Sequence, residues 1–272
     1  MQDPEIAKTW ADLGPVTRMA RDFLFDEYLE ETRGYEIDGL IHVSATSAPR
    51  AYLAEAPWIE GVLDATGLPA GIVGAVEPTL GERELEADLE TQAISPRLRG
   101  VRVLAGLDPD SRVAERLCAW LAERRLVFDL VARPSEAEAF RRLLDRHPTL
   151  EVVLEHAGWP EGTDAAASAT WRRAIAALAE NPNVSCKLSG LGMATHSLAG
   201  DVVRQWIDGV LDVFGTSRIM FGSNFPVDAM YGTFAQLMEG IDEALAGLGS
   251  EERNAVLSSN ARRVYRLPEK GS

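Results

Sequence analysis

The stretch RIMFGSNFPVD, residues 218–228, decides the fold. Ile219, Met220 and Phe221 form a short apolar run closed by Gly222, Ser223 and Asn224, which reads as a buried strand whose exit presents polar side chains. Asn224 and Asp228 leave that exit together, and Phe225 and Pro226 stiffen the turn between them. In a parallel α/β barrel the carboxyl ends of the strands hold the catalytic groups, so both residues are candidates.

Moving upstream, the same pattern recurs. NVSCKLSG (183–190), LEVVLEHAGWP (150–160), LVFDLV (126–131), the segment around Val101 to Leu104, Gly71 to Val76 and Gly39 to Ser44 read as six further strands. Between them lie helical patterns at Pro49–Thr66, Glu82–Ala93, Val113–Arg124, Pro134–Asp145, Trp171–Ala179 and Asp201–Phe214. Downstream come two more, Phe234–Leu248 and Glu251–Val264. Residues 1–30 show no strand pattern and read as a loop with a short helix. Short apolar strands alternating with amphipathic helices specify a parallel sheet with helical crossovers. The expected fold is therefore α/β, a TIM (β/α)8-type barrel forming one domain over residues 1–272, with seven strands where closure needs eight.

Composition narrows the partners. With 27 Lys plus Arg against 42 Asp plus Glu, the net charge of −15 argues against a nucleic-acid backbone or an anionic membrane surface as ligand. A small-molecule substrate fits better. Cys118 and Cys186 lie far apart without ligand spacing and read as buried thiols, which points to a reducing, cytoplasmic setting. The start, MQDPEIAKTW, has neither the charge pattern of a signal peptide nor a membrane-spanning run. Trp10 and Phe23 suggest a homodimer contact or a cap on the barrel floor.

Of the four histidines, His156 is the best placed, following the strand VVLE and preceding Gly158 and Pro160 at a strand-to-loop exit. His196, in GLGMATHS after the sixth strand, is a second candidate for the mouth, whereas His42 and His147 read as structural. Arg102 and Lys187 are cations in otherwise apolar strands. Pointing inward, each needs a partner or a ligand, and each suits a substrate carboxylate or carbonyl. Asp129 faces the same choice and reads rather as a salt-bridge partner. Asp228 has the chemistry of a general base or metal ligand, while Asn224 orients by hydrogen bonds or simply turns the chain. No H-x-H or H-x-x-x-H occurs, so the chain alone is not expected to build a metal site.

VLEHAGWP, NVSCKLSGLGM, RIMFGSNFPVD and SSNARRVYRL, in this order and spacing, resemble the amidohydrolase-related (amidohydrolase 2) family of TIM-barrel hydrolases, which includes sugar-acid lactonases and a pyrone-dicarboxylate lactonase. FLFDEYLEETRGYEIDGLIHVSA and LRGVRVL extend the similarity across nearly the whole chain. The resemblance implies a first strand carrying H-x-H, a further His after the sixth strand, matched by His156, and an acid after the eighth. The seven strands read here then correspond to the family's second to eighth, and an upstream strand with H-x-H is expected in the native protein. In such a complete chain the resemblance implies one divalent metal, zinc or manganese, with His156 among its ligands. Asn224 stands where many relatives carry Asp, and Asp228 four residues on is the substitute base.

The expected activity is hydrolysis of a lactone, or a related C–O or C–N bond, in a small polar or anionic substrate, by attack of water on a carbonyl. His156, Asp228 and Asn224 would be the catalytic groups, and Arg102, Lys187 and His196 the substrate-binding ones. Two rivals are a catalytically impaired relative that binds a metabolite or partner, and a metal-dependent decarboxylase on the same barrel.

Overall fold

The computed structural model describes residues 22–45 and 48–268. Seven strands, β1 (Leu40–Val43), β2 (Ala70–Ala75), β3 (Leu98–Val103), β4 (Val127–Leu130), β5 (Val152–Leu154), β6 (Val184–Leu188) and β7 (Ile219–Phe221), form one sheet in sequence order. Every neighbouring pair is parallel. The connections carry α2 (Tyr52–Thr66), α3 (Glu82–Gln92), α4 (Arg112–Glu123), α5 (Ala137–Asp145), α6 (Ala165–Ala179), α7 (Leu191–Thr195) and α8 (Gly200–Phe214). Helix α1 (Phe25–Glu31) precedes the sheet, and α9 (Phe234–Ala244), α10 (Ser250–Asn254) and α11 (Asn260–Val264) follow it.

The sequence expectations for the seven strands hold, with ends shifted by a few residues. Local chemistry sets several helix starts: Ser111 accepts from the Ala114 amide at α4, and Asp164 accepts from Ala166 and Ala167 at α6. Asp164 explains why α6 begins six residues before Trp171, where apolar periodicity alone would start it. The segment 251–264 is helical as expected but passes through a π-turn at Ala255–Ser259 between α10 and α11. Helix α7 was not expected from its glycine-rich sequence. The loop and Trp10 contact expected near the N-terminus lie outside the described residues.

The strands alternate between two environments. Phe128 and Leu130 of β4 face the helical layer and join Trp120, Phe140, Trp171 and Trp206 in the main core, while Val127 and Asp129 face the other way. On that inner face Val73 of β2 and Met220 of β7 share one apolar cluster with Val127, Val153, Val264 and Tyr265. Five strand spacings separate β2 from β7, about 24 Å in a flat sheet, so the sheet must curl into a half-barrel with an apolar floor. Among the described residues β1 and β7 each have one strand neighbour.

The C-terminal segment clasps these two edges. Asn260 Nδ2 donates to the carbonyls of Thr216 and Ile219, both at 2.8 Å, and the Arg263 guanidinium donates to the Ser217 carbonyl at 2.8 Å, all beside β7. On the other edge Ser258 Oγ donates to Asp38 Oδ2 at 2.8 Å, and Arg262 reaches the Asp38 carbonyl at 2.7 Å, two residues before β1. Among the described residues no helix is long and apolar enough to cross a membrane.

Candidate active site

The inward-facing charges gather at the carboxyl ends of β3 to β6. Arg102 on β3 is paired in register with Asp129 on β4. Arg102 Nη1 donates to Glu155 Oε2 at 3.2 Å, and its Nη2 to the Ser44 carbonyl. Lys187 Nζ on β6 stands 2.7 Å from Asp129 Oδ2 and 3.3 Å from Glu155 Oε1. Tyr265, at the end of α11, donates its hydroxyl to both Asp129 oxygens at 2.8 Å. The five side chains form one connected network, with Asp129 wholly buried and Glu155 only 2% exposed.

Burial raises both carboxylates, and the cations oppose it unequally. Glu155 lies beside Lys187, Arg102 and His156, which outweigh burial and hold it well below the usual carboxylate range. Asp129 has Lys187 but also the neighbouring Glu155 anion, and burial pushes it up to about 6. The two carboxyls titrate as a pair, with Asp129 displaced upward and Glu155 downward. Burial works against the Lys187 ammonium too, but the two carboxylates more than offset this and keep its pKa raised.

His156 is the second residue past β5, next to Glu155. Its Nδ1 lies 3.0 Å from Ser189 Oγ, and its Nε2 lies 3.5 Å from Glu155 Oε2. Burial lowers its pKa to about 4, the Glu155 anion only partly opposing, so the imidazole is neutral around pH 7. The chain turns through four consecutive left-handed residues, His156, Ala157, Gly158 and Trp159. Trp171 Nε1 fixes this turn by donating to the Ala157 carbonyl at 2.7 Å. Gly190, at φ +61°, lies against the same ring: a Cβ there would sit 2.7 Å from His156 Nδ1.

The remaining candidates form a second group at the β6 and β7 exits. Asn224, at φ +55°, points Nδ2 at Asp228 Oδ1 across 3.4 Å. Asp228 is wholly buried, faces the amides of Gly190, Leu191 and Gly192 at the start of α7, and keeps Oδ2 without a partner among the described residues. Burial raises its pKa to about 7. His196 caps the other end of α7, exposed, with its ring stacked on Tyr231 at 5.3 Å and 5°. The structure thus joins Arg102 and Lys187 to His156 through Glu155, and separately joins Asn224 and Asp228 at the foot of the helix that carries His196.

Glu155, Ser189 and Tyr265 were not singled out by the sequence reading. Two inward cations in strand patterns three positions apart in the sheet, β3 and β6, demanded anions, and the acid beside His156 was the available signal. His42, read as structural, turns to the helical side, where its Nε2 lies 3.0 Å from Glu55 of α2.

The resemblance implied a divalent metal, and the donor set tests that. Among the described residues no three His, Cys, Asp or Glu side chains converge on a cation site. The carboxylate nearest His156 is already shared by Arg102 and Lys187, whose charges repel a dication. The described residues do not fit a metal by themselves.

A family model described as amidohydrolase matches residues 14–267. Over 219 residues, 76% of this chain and 73% of the relative, the sequence is 31% identical to an L-fucono-1,5-lactonase of Burkholderia ambifaria. An L-fucono-1,5-lactonase of Burkholderia multivorans is 36% identical over 166 residues, 56% of this chain and 55% of that one. The crystal structure of a zinc-bound amidohydrolase from Burkholderia multivorans superposes with a TM-score of 0.82 at 28% identity, covering 95% of each chain.

Proposed function

Because the chain belongs to the amidohydrolase family, we propose that it is a lactonase-type hydrolase opening a neutral, polyhydroxylated lactone by attack of water on the ring carbonyl. The observation that carries this reading is the charge balance of the lumen. Arg102 and Lys187, which suit a substrate carboxylate, already face the two carboxylates Glu155 and Asp129. Their charges sum to zero, so a dicarboxylated ring would enter with its anions uncompensated. A sugar lactone instead offers hydroxyls and a carbonyl, which a fixed array of alternating donors and acceptors can bind without net charge. The naming of two relatives as L-fucono-1,5-lactonases supports the same substrate class.

The geometry supports the following roles. Nε of Arg102 is buried without a partner among the described residues and is an unmatched donor for a substrate oxygen. Arg102 and Lys187 stabilise the oxyanion that forms as water adds to the carbonyl. The neutral His156 ring accepts the water proton and returns a proton to the departing ring oxygen, yielding the hydroxy acid. Asp228, wholly buried, is the support of α7 in this scheme, with His196 at the rim of the substrate site.

The test is a panel of sugar 1,5-lactones, including L-fucono-1,5-lactone, beside 2-pyrone-4,6-dicarboxylate, with products identified by NMR. Ring-opened hydroxy acids from the sugar lactones, and slower turnover of the dicarboxylate, are expected. Preference for the dicarboxylate overturns the neutral-substrate reading, and release of carbon dioxide overturns hydrolysis.

A further inference from the structure

We infer that Tyr265 is a positioning residue of the lumen network: its hydroxyl, delivered by the C-terminal helix, holds Asp129 against Lys187 and so fixes the ammonium at the foot of the substrate site. The inference rests on the proposed role of Lys187 toward substrate, and on geometry that is independent of it.

Tyr265 is 1% exposed and enters the lumen from below, its ring in the apolar floor with Val73, Val127, Val153, Met220 and Val264. A phenylalanine would fill that floor equally well. The hydroxyl does something more specific: it stands 2.8 Å from both Asp129 oxygens, so one donor spans the carboxylate. Lys187 Nζ takes Oδ2 from the other side at 2.7 Å, and lies 5.6 Å from the Tyr265 ring centroid. Among the described residues the charged groups around Asp129 are Arg102 from β3, Glu155 from the exit of β5 and Lys187 from β6, with Tyr265 the uncharged donor.

Asp129 is the member of the network whose charge is least secure, because burial and the Glu155 anion both favour its protonated form. Two donors oppose them. Removing the phenol O–H leaves a wholly buried carboxylate with Lys187 as its remaining donor among the described residues, and a hydrogen bond to the charged form is lost. Once Asp129 is protonated, Lys187 is held by Glu155 alone, which Arg102 already shares. The ammonium then shifts toward β5, and the network carries one excess positive charge.

The experiment compares wild type, Tyr265→Phe and Val264→Ala as full chains, following the carboxyl carbon of Asp129 by 13C NMR through a pH titration, with Asp129→Asn for assignment. Tyr265→Phe is expected to raise the Asp129 midpoint by about one pH unit. It is also expected to move the acidic limb of kcat/KM on a hydrolysed lactone upward by the same amount. Val264→Ala, a neighbour in the same floor, is expected to lower stability and leave both midpoints unchanged. Global 3-fluorotyrosine labelling strengthens the phenol as a donor, and a downward shift of the Asp129 midpoint is expected, a readout that survives if Tyr265→Phe does not fold. Superimposable titrations in wild type and Tyr265→Phe, or an unmoved midpoint on fluorination where the variant does not fold, overturn the inference. If wild type hydrolyses no lactone, the functional reading fails while the Asp129 titration still decides the role of Tyr265.

Discussion

Asp228 is a carboxyl group with its proton affinity raised by burial, and this makes a signed prediction about stability. An unfolded Asp titrates near 3.8, whereas Asp228 in the fold titrates at about 7. Between those values the folded state binds the proton that the unfolded state has lost, so the contribution of Asp228 is fully present below about pH 4 and disappears as pH rises through 7. Asp228→Asn is a permanent neutral stand-in for the protonated acid. Relative to wild type, the variant is expected to gain on the order of 2 kcal/mol between pH 5 and pH 8, measured from urea midpoints at each pH. A stability difference that does not change with pH would mean that Asp228 is ionised throughout.

Single residues differ in how legible they are from sequence. Arg102 and Lys187 stand out because a cation in an apolar strand is an unfinished statement, and both prove to be in one network. Asp129, read as a salt-bridge partner, is one. Glu155 was passed over because VVLE reads as the end of a strand, and a strand residue's facing depends on the neighbouring strands. Tyr265 carries no local signal at all, since its hydroxyl meets a carboxylate 136 positions away in sequence.

At the level of elements, strand existence is readable because each apolar run is bounded by glycine, proline or polar turn residues. Helix α7 is hidden: its LGMAT sequence is short and flanked by glycine and histidine, and its start is fixed by the distant Asp228 rather than by local propensity. Helix α11 matters more than its five residues suggest. Asn260 joins it to the Ile219 carbonyl of β7 and to the Thr216 carbonyl just before that strand, and Asn260→Ala leaves both without that donor in a site only 6% exposed. The expected cost is about 2–3 kcal/mol, seen as a lower urea midpoint with an unchanged m-value. A midpoint equal to wild type would show that the edge of β7 is held by the strand pairing alone.

Over the whole molecule, a net charge of −15 surrounds a lumen whose charged quartet is balanced. The two facts act on different ligands. An anionic substrate approaches against the protein's field, and its KM should fall as salt screens that field. A neutral sugar lactone feels neither the field nor its screening. Its KM is therefore expected to stay constant within about twofold when ionic strength is raised from roughly 0.02 to 0.5 M, while an anionic analogue gains affinity over the same range. Equal salt dependence for both would mean that the mouth carries a net charge of its own.

The clasp at the sheet edges also has a temporal meaning. Arg262 and Asp38 are 224 positions apart, and Tyr265 completes a network whose other members lie between Arg102 and Lys187. A chain made from its N-terminus at about 5–20 residues per second exposes β1 well before its clasp exists, and closing so long a loop is late and entropically expensive. Residues 258–265 are made after all seven strands, and only once they are present can the edges be clasped and the charge network be finished. A nascent chain therefore carries all seven strands for an interval before the residue that completes its charge network exists.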